Sequence, residues 1–404
     1  MRYVSTRGEA PETDFVTAMV AGLAPDGGLY VPAEFPALPN EWSTWSYQDA
    51  MVGVLELFGA QNVDGAVLGA AARFDHPQIA PVRSLGGRHV LELFWGPTLS
   101  FKDHALQVVA RLLDREVDSG TVLGATSGDT GSAAIEACRK SHHIEIVILY
   151  PEGMVSEFQR RQMTTVEETN VAAVAVRGTF DDCQALVKNA FASRDDLLAV
   201  NSINWARIAA QVGYYVYAGA QMREPFDVAV PTGNFGNVFS CWVAKQMGAP
   251  IETITIANNA NHRLSDIVRG HEGGVIPVLA TTAPAMDIAV PSNFERFTGD
   301  PTKEFRAGWS TDAQIGETIA SVNSEHGYLL DPHTATAWRA GTETLSDRPQ
   351  LVVGTAHPVK FGDAVEDAIG TRPEVPEQLE RLFELPERIV TIDPDASALA
   401  DIIR

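Results

Sequence analysis

The sequence predicts an α/β fold in which short strands alternate with amphipathic helices. Two observations support this: seven short runs rich in β-branched residues occur after residue 86, and most are followed by a segment with a helical apolar stripe. Alternating strands and helices form βαβ units, so we expect mostly parallel sheets with helices on both faces. The predicted strands are 89–94, 121–125, 144–150, 171–176, 228–230, 251–257 and 351–353.

The first 85 residues have a different pattern. They contain a Pro-Asp-Gly-Gly turn at 25–28 and a proline-rich stretch at 32–39. We expect a mainly helical N-terminal module at 1–85, followed by an α/β region at 86–404. No internal repeat or low-complexity segment interrupts either part.

Composition and charge exclude several classes of protein. Thirty basic and 52 acidic side chains give a net charge of −22, so nucleic-acid binding is not expected, although a local cluster of donors can still bind a small anion. The three cysteines are far apart and form no metal or disulfide pattern, so we expect no metal and a reducing cytoplasm. We predict no signal peptide and no apolar run near the ~18 residues of a membrane span.

Four loops at the ends of predicted strands have an unusual composition. In parallel sheets, ligands bind where strands end and loops lead into helix N-termini. The four loops have the sequences GPTLSFKD, ATSGDTGS, PTGNFGN and GTAHP, and they follow the predicted strands at 89–94, 121–125, 228–230 and 351–353. We therefore expect the functional residues in these loops.

Lys102, in the first loop, is predicted to lie in the first turn of a helix. Ser100 and Asp103 have the spacing of a capping box, and an apolar stripe runs over 105–113, so the helix should begin just after Ser100. The positive end of the helix dipole disfavours a cation there by a few tenths to ~1 kcal/mol. This lowers the lysine pKa and favours a nucleophilic amine. A lysine that simply extends to solvent is the alternative.

The second loop, 126–131, combines hydroxyls, glycines and free amides before a helix that we expect to begin near Ser132. Such a helix N-terminus suits a carboxylate, and Ser127, Asp129 and Thr130 are the candidate side chains. A polar N-cap with a glycine turn explains the same residues equally well.

The third loop brings two glycines to another strand–helix junction. Its residues are Gly233, Asn234, Phe235, Gly236 and Asn237. Glycines allow close approach of the backbone, and successive amides can bind a phosphate without a basic side chain. A simple turn is again the alternative, because the motif is neither a Walker A loop nor G-x-G-x-x-G.

The fourth loop offers the hydroxyl of Thr355, which could also be only a local cap. Together the four loops provide the parts of a pyridoxal phosphate site: a lysine for a Schiff base, an amide cup for the cofactor phosphate, a hydroxyl loop for an amino-acid carboxylate and a hydroxyl for the ring nitrogen. A hydroxyl partner leaves the ring nitrogen largely neutral, which favours eliminations and replacements over transamination.

Seven segments also resemble, in order, the motifs of the threonine synthase family. They read LELFWGPTLSFKD, GATSGDTGSAA, VNSINWARI, VPTGNFGN, PAMDIAVPSNFERF, DPHTA and TAHPVKF, and the STRG and GLAPDGGLYVP stretches resemble the opening of the family. The resemblance is to the longer branch found in enteric bacteria and fungi. It implies a fold type II pyridoxal phosphate enzyme with two open, twisted, mostly parallel sheets, flanking helices and a helical N-terminal module. The active site would lie between two interleaved α/β subdomains of 86–404.

The resemblance also implies roles for the loop residues. Lys102 would form the Schiff base, the loop at 233–237 would bind the cofactor phosphate, and Thr355 would face the ring nitrogen. Ser127, Asp129 and Thr130 would contact the substrate carboxylate or a cofactor oxygen.

For the substrate phosphate, the resemblance suggests Asn204 and Arg207, with Lys188 as a weaker candidate. A guanidinium matches phosphate geometry. However, Arg207 lies in a helix predicted to start near Asn204 and could instead form a structural ion pair.

The implied reaction converts O-phospho-L-homoserine and water to L-threonine and phosphate. An O-phosphohomoserine phospholyase and a serine or threonine dehydratase of the same fold are alternatives, as is a non-catalytic protein that keeps the fold. The resemblance suggests a monomer.

Overall fold

The computed structural model describes residues 1–194, 196–271, 274 and 277–403. Its N-terminal part contains three helices and a two-stranded antiparallel sheet, β1 with β2. The elements of this part are β1 (Tyr3–Ser5), α1 (Phe15–Ala21), β2 (Tyr30–Pro32), α2 (Tyr47–Leu57) and α3 (Asp64–Ala71).

The remainder alternates strands and helices, as the sequence predicts. Its elements between residues 82 and 198 are β3 (Val82–Leu85), β4 (Arg88–Glu92), α4 (Lys102–Glu116), β5 (Gly120–Ala125), α5 (Asp129–Cys138), β6 (Ile144–Pro151), α6 (Glu157–Thr164), β7 (Val171–Val176), α7 (Phe180–Phe191) and β8 (Leu197–Leu198). The later elements are α8 (Trp205–Met222), β9 (Phe226–Pro231), α9 (Gly236–Met247), β10 (Ile251–Asn258), α10 (Arg263–Val268), α11 (Pro301–Glu304), β11 (Phe305–Trp309), α12 (Asp312–His326), α13 (Pro332–Glu343), β12 (Gln350–Gly354), α14 (Gly362–Ile369), α15 (Glu377–Glu380), β13 (Val390–Ile392) and α16 (Ala396–Ala400).

These strands form two larger sheets. The six-stranded sheet has the order β11-β10-β9-β12-β4-β3, and only β3 is antiparallel to its neighbour. The five-stranded sheet has the order β13-β7-β6-β5-β8 and is entirely parallel. All seven predicted strands are present, and the fold class is confirmed.

The two sheets are interleaved along the chain. The chain leaves the six-stranded sheet after β4, builds β5 to β8 of the other sheet, and returns with β9; β13 then goes back to the five-stranded sheet. Strands β3 and β4 pair with each other and lie on opposite sides of the predicted boundary between residues 85 and 86. The division at residue 85 stays a prediction.

One hydrophobic core joins the N-terminal helices to both sheets. It includes Met51 of α2, Leu112 of α4, Ile146 of β6 and Val228 of β9, all nearly inaccessible to solvent. Helix α8 is buried along most of its length and packs against α2, α4 and α9. Burial of this much apolar surface holds α8, and therefore the loop before it, in a fixed position.

Two kinds of feature are absent from the described residues. None of their helices combines the length and the apolar character that crossing a membrane requires. Nor do they contain a group of three or more His, Cys, Asp or Glu side chains that could hold a metal ion.

Candidate active site

The loops after β4 and β12 lie side by side at the carboxyl edge of the six-stranded sheet. The amide of Phe101 donates to the carbonyl of Thr355 at 2.9 Å, and the amide of His357 donates to the carbonyl of Leu99 at 3.0 Å. Because β12 and β4 are parallel neighbours, their ends meet at the same edge. This pairing brings Thr355 to the start of α4.

Lys102 is the first residue of α4, as predicted, but the expected capping box is absent. Phe101 is the N-cap residue and makes no side-chain cap. The Asp103 carboxylate accepts instead from the amide of Thr98 at 2.9 Å and from the Thr98 hydroxyl at 2.7 Å. The S-x-x-D spacing wrongly predicted a capping box, because the Asp103 carboxylate is hydrogen-bonded to Thr98 in the preceding turn instead.

Lys102 forms a buried ion pair with Asp129. Its side chain is 8% exposed, and Nζ lies 3.0 Å from Asp129 Oδ2. Burial lowers the pKa of Lys102; Asp129 partly opposes this effect, while Lys360 and Arg207 add to it. For Asp129, burial raises the pKa, but the neighbouring ammonium groups reverse the effect and hold it well below its usual range.

Asp129 is the first residue of α5, so this helix begins three residues earlier than the predicted Ser132. The preceding Gly128 has φ +136°, a conformation that favours glycine, and a Cβ there would lie 2.4 Å from the Gln159 side chain. Ser127 and Thr130 flank this turn and are partly buried. Their hydroxyls have no partner among the described residues, so both are available to a carboxylate.

The loop after β9, residues 233–237, is a tight turn into the N-terminus of α9, a setting that suits an anion, and we refer to it as the anion cup. Phe235 has φ +64° and lies just before α9, which begins at Gly236. Asn234 accepts hydrogen bonds from Ser292 and Asn293 through its side chain and carbonyl, which fixes the outside of the loop. Gly233 is packed closely, since a Cβ there would meet the carbonyl oxygen of Ala285 at 2.3 Å.

Asn237 extends the cup with a donor that has no partner. The hydroxyls of Tyr214 and Tyr215 donate to its Oδ1 at 2.6 and 2.7 Å. This fixes the amide orientation and leaves Nδ2 buried without a hydrogen-bond acceptor in the described structure. A buried donor without a partner is costly and indicates a ligand.

Arg207 is a second buried donor of this kind. It is 2% exposed, NH1 donates to the carbonyl of Val200 at 3.0 Å, and Nε is buried without an acceptor in the described structure. Burial lowers the pKa of Arg207 to about 10. The alternative of an ion pair with a carboxylate is not found among the described residues, so a bound anion would satisfy this side chain.

Asn204, by contrast, has both amide donors occupied. Its Nδ2 donates to the carbonyls of Met19 and Ala199, each at 2.8 Å, and its Oδ1 accepts from the amide of Ala206 as the N-cap of α8. It is 0% exposed. These hydrogen bonds anchor α8 and occupy both amide donors, so they do not support the expected contact of Asn204 with the substrate phosphate, which stays a prediction.

Lys188 lies away from these loops. It is exposed and belongs to the last turn of α7, the helix between the parallel strands β7 and β8. A helix in such a crossover runs opposite to the strands, so its last turn lies at the amino edge of the sheet. This position does not favour a contact of Lys188 with the substrate phosphate, and that contact stays a prediction.

Two groups that we did not predict complete the site. Lys360 Nζ lies 3.1 Å from Asp129 Oδ1, and Gln159 Nε2 donates to the same oxygen at 2.8 Å. Lys360 belongs to the TAHPVKF segment and comes five residues after Thr355, in a 3-10 helix (Pro358–Phe361). The sequence signal for Lys360 is a lysine between the apolar residues Val359 and Phe361, which could have indicated a buried amine.

The residues present fit pyridoxal phosphate. The Asn237 and Arg207 donors without partners, together with the turn at 233–237, suit phosphate groups, and Lys102 provides an amine at a protected position. Thr355 follows the end of β12. This strand lies between β4, which leads to Lys102, and β9, which leads to the loop at 233–237. No residue in this set requires a metal.

Comparison with known proteins identifies the family. Residues 90–355 match the family model of pyridoxal-phosphate dependent enzymes, residues 2–72 match the threonine synthase N terminus, and residues 334–403 match the threonine synthase C-terminal model. A threonine synthase of Pseudomonas aeruginosa is 42% identical over 97% of this chain and 96% of the relative.

Solved structures agree with these matches. The pyridoxal phosphate-bound threonine synthase of Brucella melitensis is 39% identical, with a TM-score of 0.95 over 100% of this chain and 98% of that chain. The Escherichia coli threonine synthase is 31% identical, with a TM-score of 0.90 over 100% and 99% of the two chains. With the fold, the buried lysine and the anion cup, these matches establish that the chain belongs to the threonine synthase family of pyridoxal phosphate-dependent enzymes.

Proposed function

We propose that the protein converts O-phospho-L-homoserine and water to L-threonine and inorganic phosphate. The observation that carries the proposal is the buried Lys102 amine, paired with Asp129, together with an anion cup in which Asn237 Nδ2 has no acceptor in the described part of the chain. Membership of the threonine synthase family supports the choice of reaction among those that such a site could perform.

Bound pyridoxal phosphate would supply an electron-withdrawing ring that stabilises negative charge on the attached substrate. In this proposal Lys102, Asn237 and the loop at 233–237 hold the cofactor, with Thr355 at the ring nitrogen. Asp129 orients the Lys102 amine through its 3.0 Å contact. A fixed amine of lowered pKa suits repeated proton transfer.

The substrate would bind in two parts. Ser127 and Thr130 receive its carboxylate at the N-terminus of α5, where two free hydroxyls and the helix dipole favour an anion. Arg207 receives the γ-phosphate, because its buried guanidinium has a free Nε and no carboxylate partner among the described residues. In this proposal the two contacts present Cα to the amine of Lys102.

Lys102 then acts as the base and acid of the reaction. Its free amine removes the proton from Cα and then one proton from Cβ. The electrons of the Cβ–H bond form a Cβ–Cγ double bond as the Cγ–O bond breaks and phosphate leaves. Arg207 and nearby donors stabilise the departing dianion. A proton returned to Cγ makes the methyl group and moves the double bond to Cα–Cβ. Water then adds its hydroxyl at Cβ, and a second proton returned to Cα completes L-threonine.

The experiment that tests the proposal uses purified protein with pyridoxal phosphate and O-phospho-L-homoserine. Inorganic phosphate is measured, and the organic product is identified by chiral chromatography. Equimolar phosphate and L-threonine are expected, with none of either from Lys102→Ala. Phosphate with 2-oxobutyrate would indicate a phospholyase instead, and deamination of serine or threonine without phosphate release would indicate a dehydratase.

We further propose that the protein works as a monomer in the cytoplasm and does not bind nucleic acid. The net charge of −22 supports the last point. Light scattering of the purified holoenzyme would test the oligomeric state.

A further inference from the structure

A second lysine is completely buried in the active site and has no role in the scheme above. Lys360 is 0% exposed. Its Nζ lies 3.1 Å from Asp129 Oδ1 and donates to the carbonyl of Thr98 at 2.6 Å and to Gln162 Oε1 at 3.0 Å. Three acceptors match the three hydrogens of an ammonium group, so this environment is built for the charged form.

Asp129 is therefore shared between two lysines. Its Oδ2 faces Lys102, and its Oδ1 faces Lys360 and the neutral amide of Gln159. The reacting amine and the second ammonium thus sit on opposite oxygens of one carboxylate.

Among the described residues, Asp129 is the only carboxylate in direct contact with the two lysines. Arg207 adds a further positive charge near Lys102. Asp103 interacts with Lys360 only at longer range, and the nearby His333 has its own carboxylate partner in Asp331, at 2.9 Å. The buried carboxylate needs one cation, and only one of the two lysines has to provide it.

We infer that Lys360 is the permanent counter-ion of Asp129 and is a positioning residue that keeps Lys102 available as a neutral amine. The inference rests on the proposed role of Lys102. A carboxylate paired with Lys102 alone would hold its proton and make it a poor base. With Lys360 on the other oxygen, Asp129 can orient Lys102 without requiring it to be charged.

The direction of the effect follows from electrostatics. Removal of Lys360 removes a like charge from the surroundings of Lys102 and leaves Asp129 with Lys102 as its ammonium partner. Both changes favour protonated Lys102, so its pKa should rise. The free amine of Lys102 exists only in the enzyme–substrate complex, whose ionisations are reported by the pH profile of kcat. We therefore expect the acid limb of that profile to move to higher pH by about one unit or more.

The test compares three variants of the holoenzyme. Lys360→Met keeps the length of the side chain without the charge, and Lys360→Arg keeps the charge. Gln159→Met removes the neutral partner from the same Asp129 oxygen and serves as the matched control. We expect a large upward shift of the acid limb for the methionine variant at 360, a smaller one for Gln159→Met, and partial recovery with arginine. Equal shifts for the two methionine variants would overturn the inference, because loss of packing alone would then explain them.

A second measurement does not depend on turnover. Trace acylation of the full-length, cofactor-free protein at a series of pH values, followed by peptide mass spectrometry, reports the pH at which Lys102 becomes a neutral, reactive amine. In the wild-type protein Lys102 should become reactive below the pH range of an ordinary lysine, because burial lowers its pKa, and Lys360→Met should shift the Lys102 curve upward. A wild-type Lys102 curve in the range of an ordinary lysine would refute the inference even if every variant at 360 failed to fold. The expected Lys102 curves in a protein without threonine-forming activity would refute the proposed function and leave this inference intact.

Discussion

Replacement of Asn204 by alanine separates the structural interpretation of this residue from the one that the sequence suggested. The change removes the N-cap of α8 and two hydrogen bonds to the carbonyls of Met19 and Ala199. An N-cap contributes about 1 kcal/mol. Each buried hydrogen bond contributes about 1 kcal/mol more, with a further penalty for the carbonyls left without donors. We therefore expect the free energy of unfolding to fall by about 3 to 4 kcal/mol.

The assay is urea unfolding followed by tryptophan fluorescence, together with steady-state kinetics on the folded variant. Thr311→Ala is the matched control, because Thr311 caps the exposed end of α12 through its own capping box and reaches no distant carbonyl. It should lower the free energy of unfolding by only about 1 kcal/mol. The reasoning would be refuted if both variants lost equal stability while Asn204→Ala raised the KM for O-phospho-L-homoserine strongly. That result would restore Asn204 as a phosphate ligand.

Three further predictions concern single side chains. Arg207→Gln should lower kcat/KM for O-phospho-L-homoserine at least about 30-fold, as expected when a buried charge loses its partner, and an unchanged KM in steady-state assays would remove Arg207 from the substrate site. Lys188→Ala should leave kcat/KM unchanged and change the free energy of unfolding by less than about 0.5 kcal/mol, because the residue is exposed at the far edge of its sheet; a raised KM would contradict this. Burial lowers the pKa of His104 to about 3, so the unfolded chain binds the extra proton first as the pH falls. The free energy of unfolding should therefore fall by about 1.4 kcal/mol for each pH unit below ~6.5. Urea midpoints that fall equally in His104→Phe would show that His104 is not the cause.

The sequence was sufficient for the parts of the molecule that depend on local pattern. The predicted strands were all found because β-branched runs between turn residues specify a buried parallel strand locally. Lys102 was identified from its position at a strand–helix junction, and the structure confirms that position. The family, the fold class and the cofactor are confirmed by the comparisons.

Features that depend on distant partners could not be predicted in this way. The amide of Asn204 reaches a carbonyl 185 residues earlier in the chain, and nothing near Asn204 indicates whether it caps a helix or binds a ligand. Lys360 has the same difficulty, since its partners lie in three other segments. Strand β11 was missed because its short sequence FRAGW lacks a β-branched run and lies at the edge of the sheet.

The position of β12 has a consequence for the synthesis of the protein. This strand lies between β9 and β4 but is separated from β4 by some 260 residues of chain, as in the pair Leu351 and His89. Until it leaves the ribosome, β4 with β3 and β9 with its neighbours are two separate ribbons with open edges. The open edge of β4, the strand that leads to Lys102, is thus exposed to misfolding for most of translation, and the open edge of β9 is exposed while the chain from 231 to 350 is made. A nascent chain that stops before residue 350 should not form L-threonine and should depend on chaperones to stay in solution.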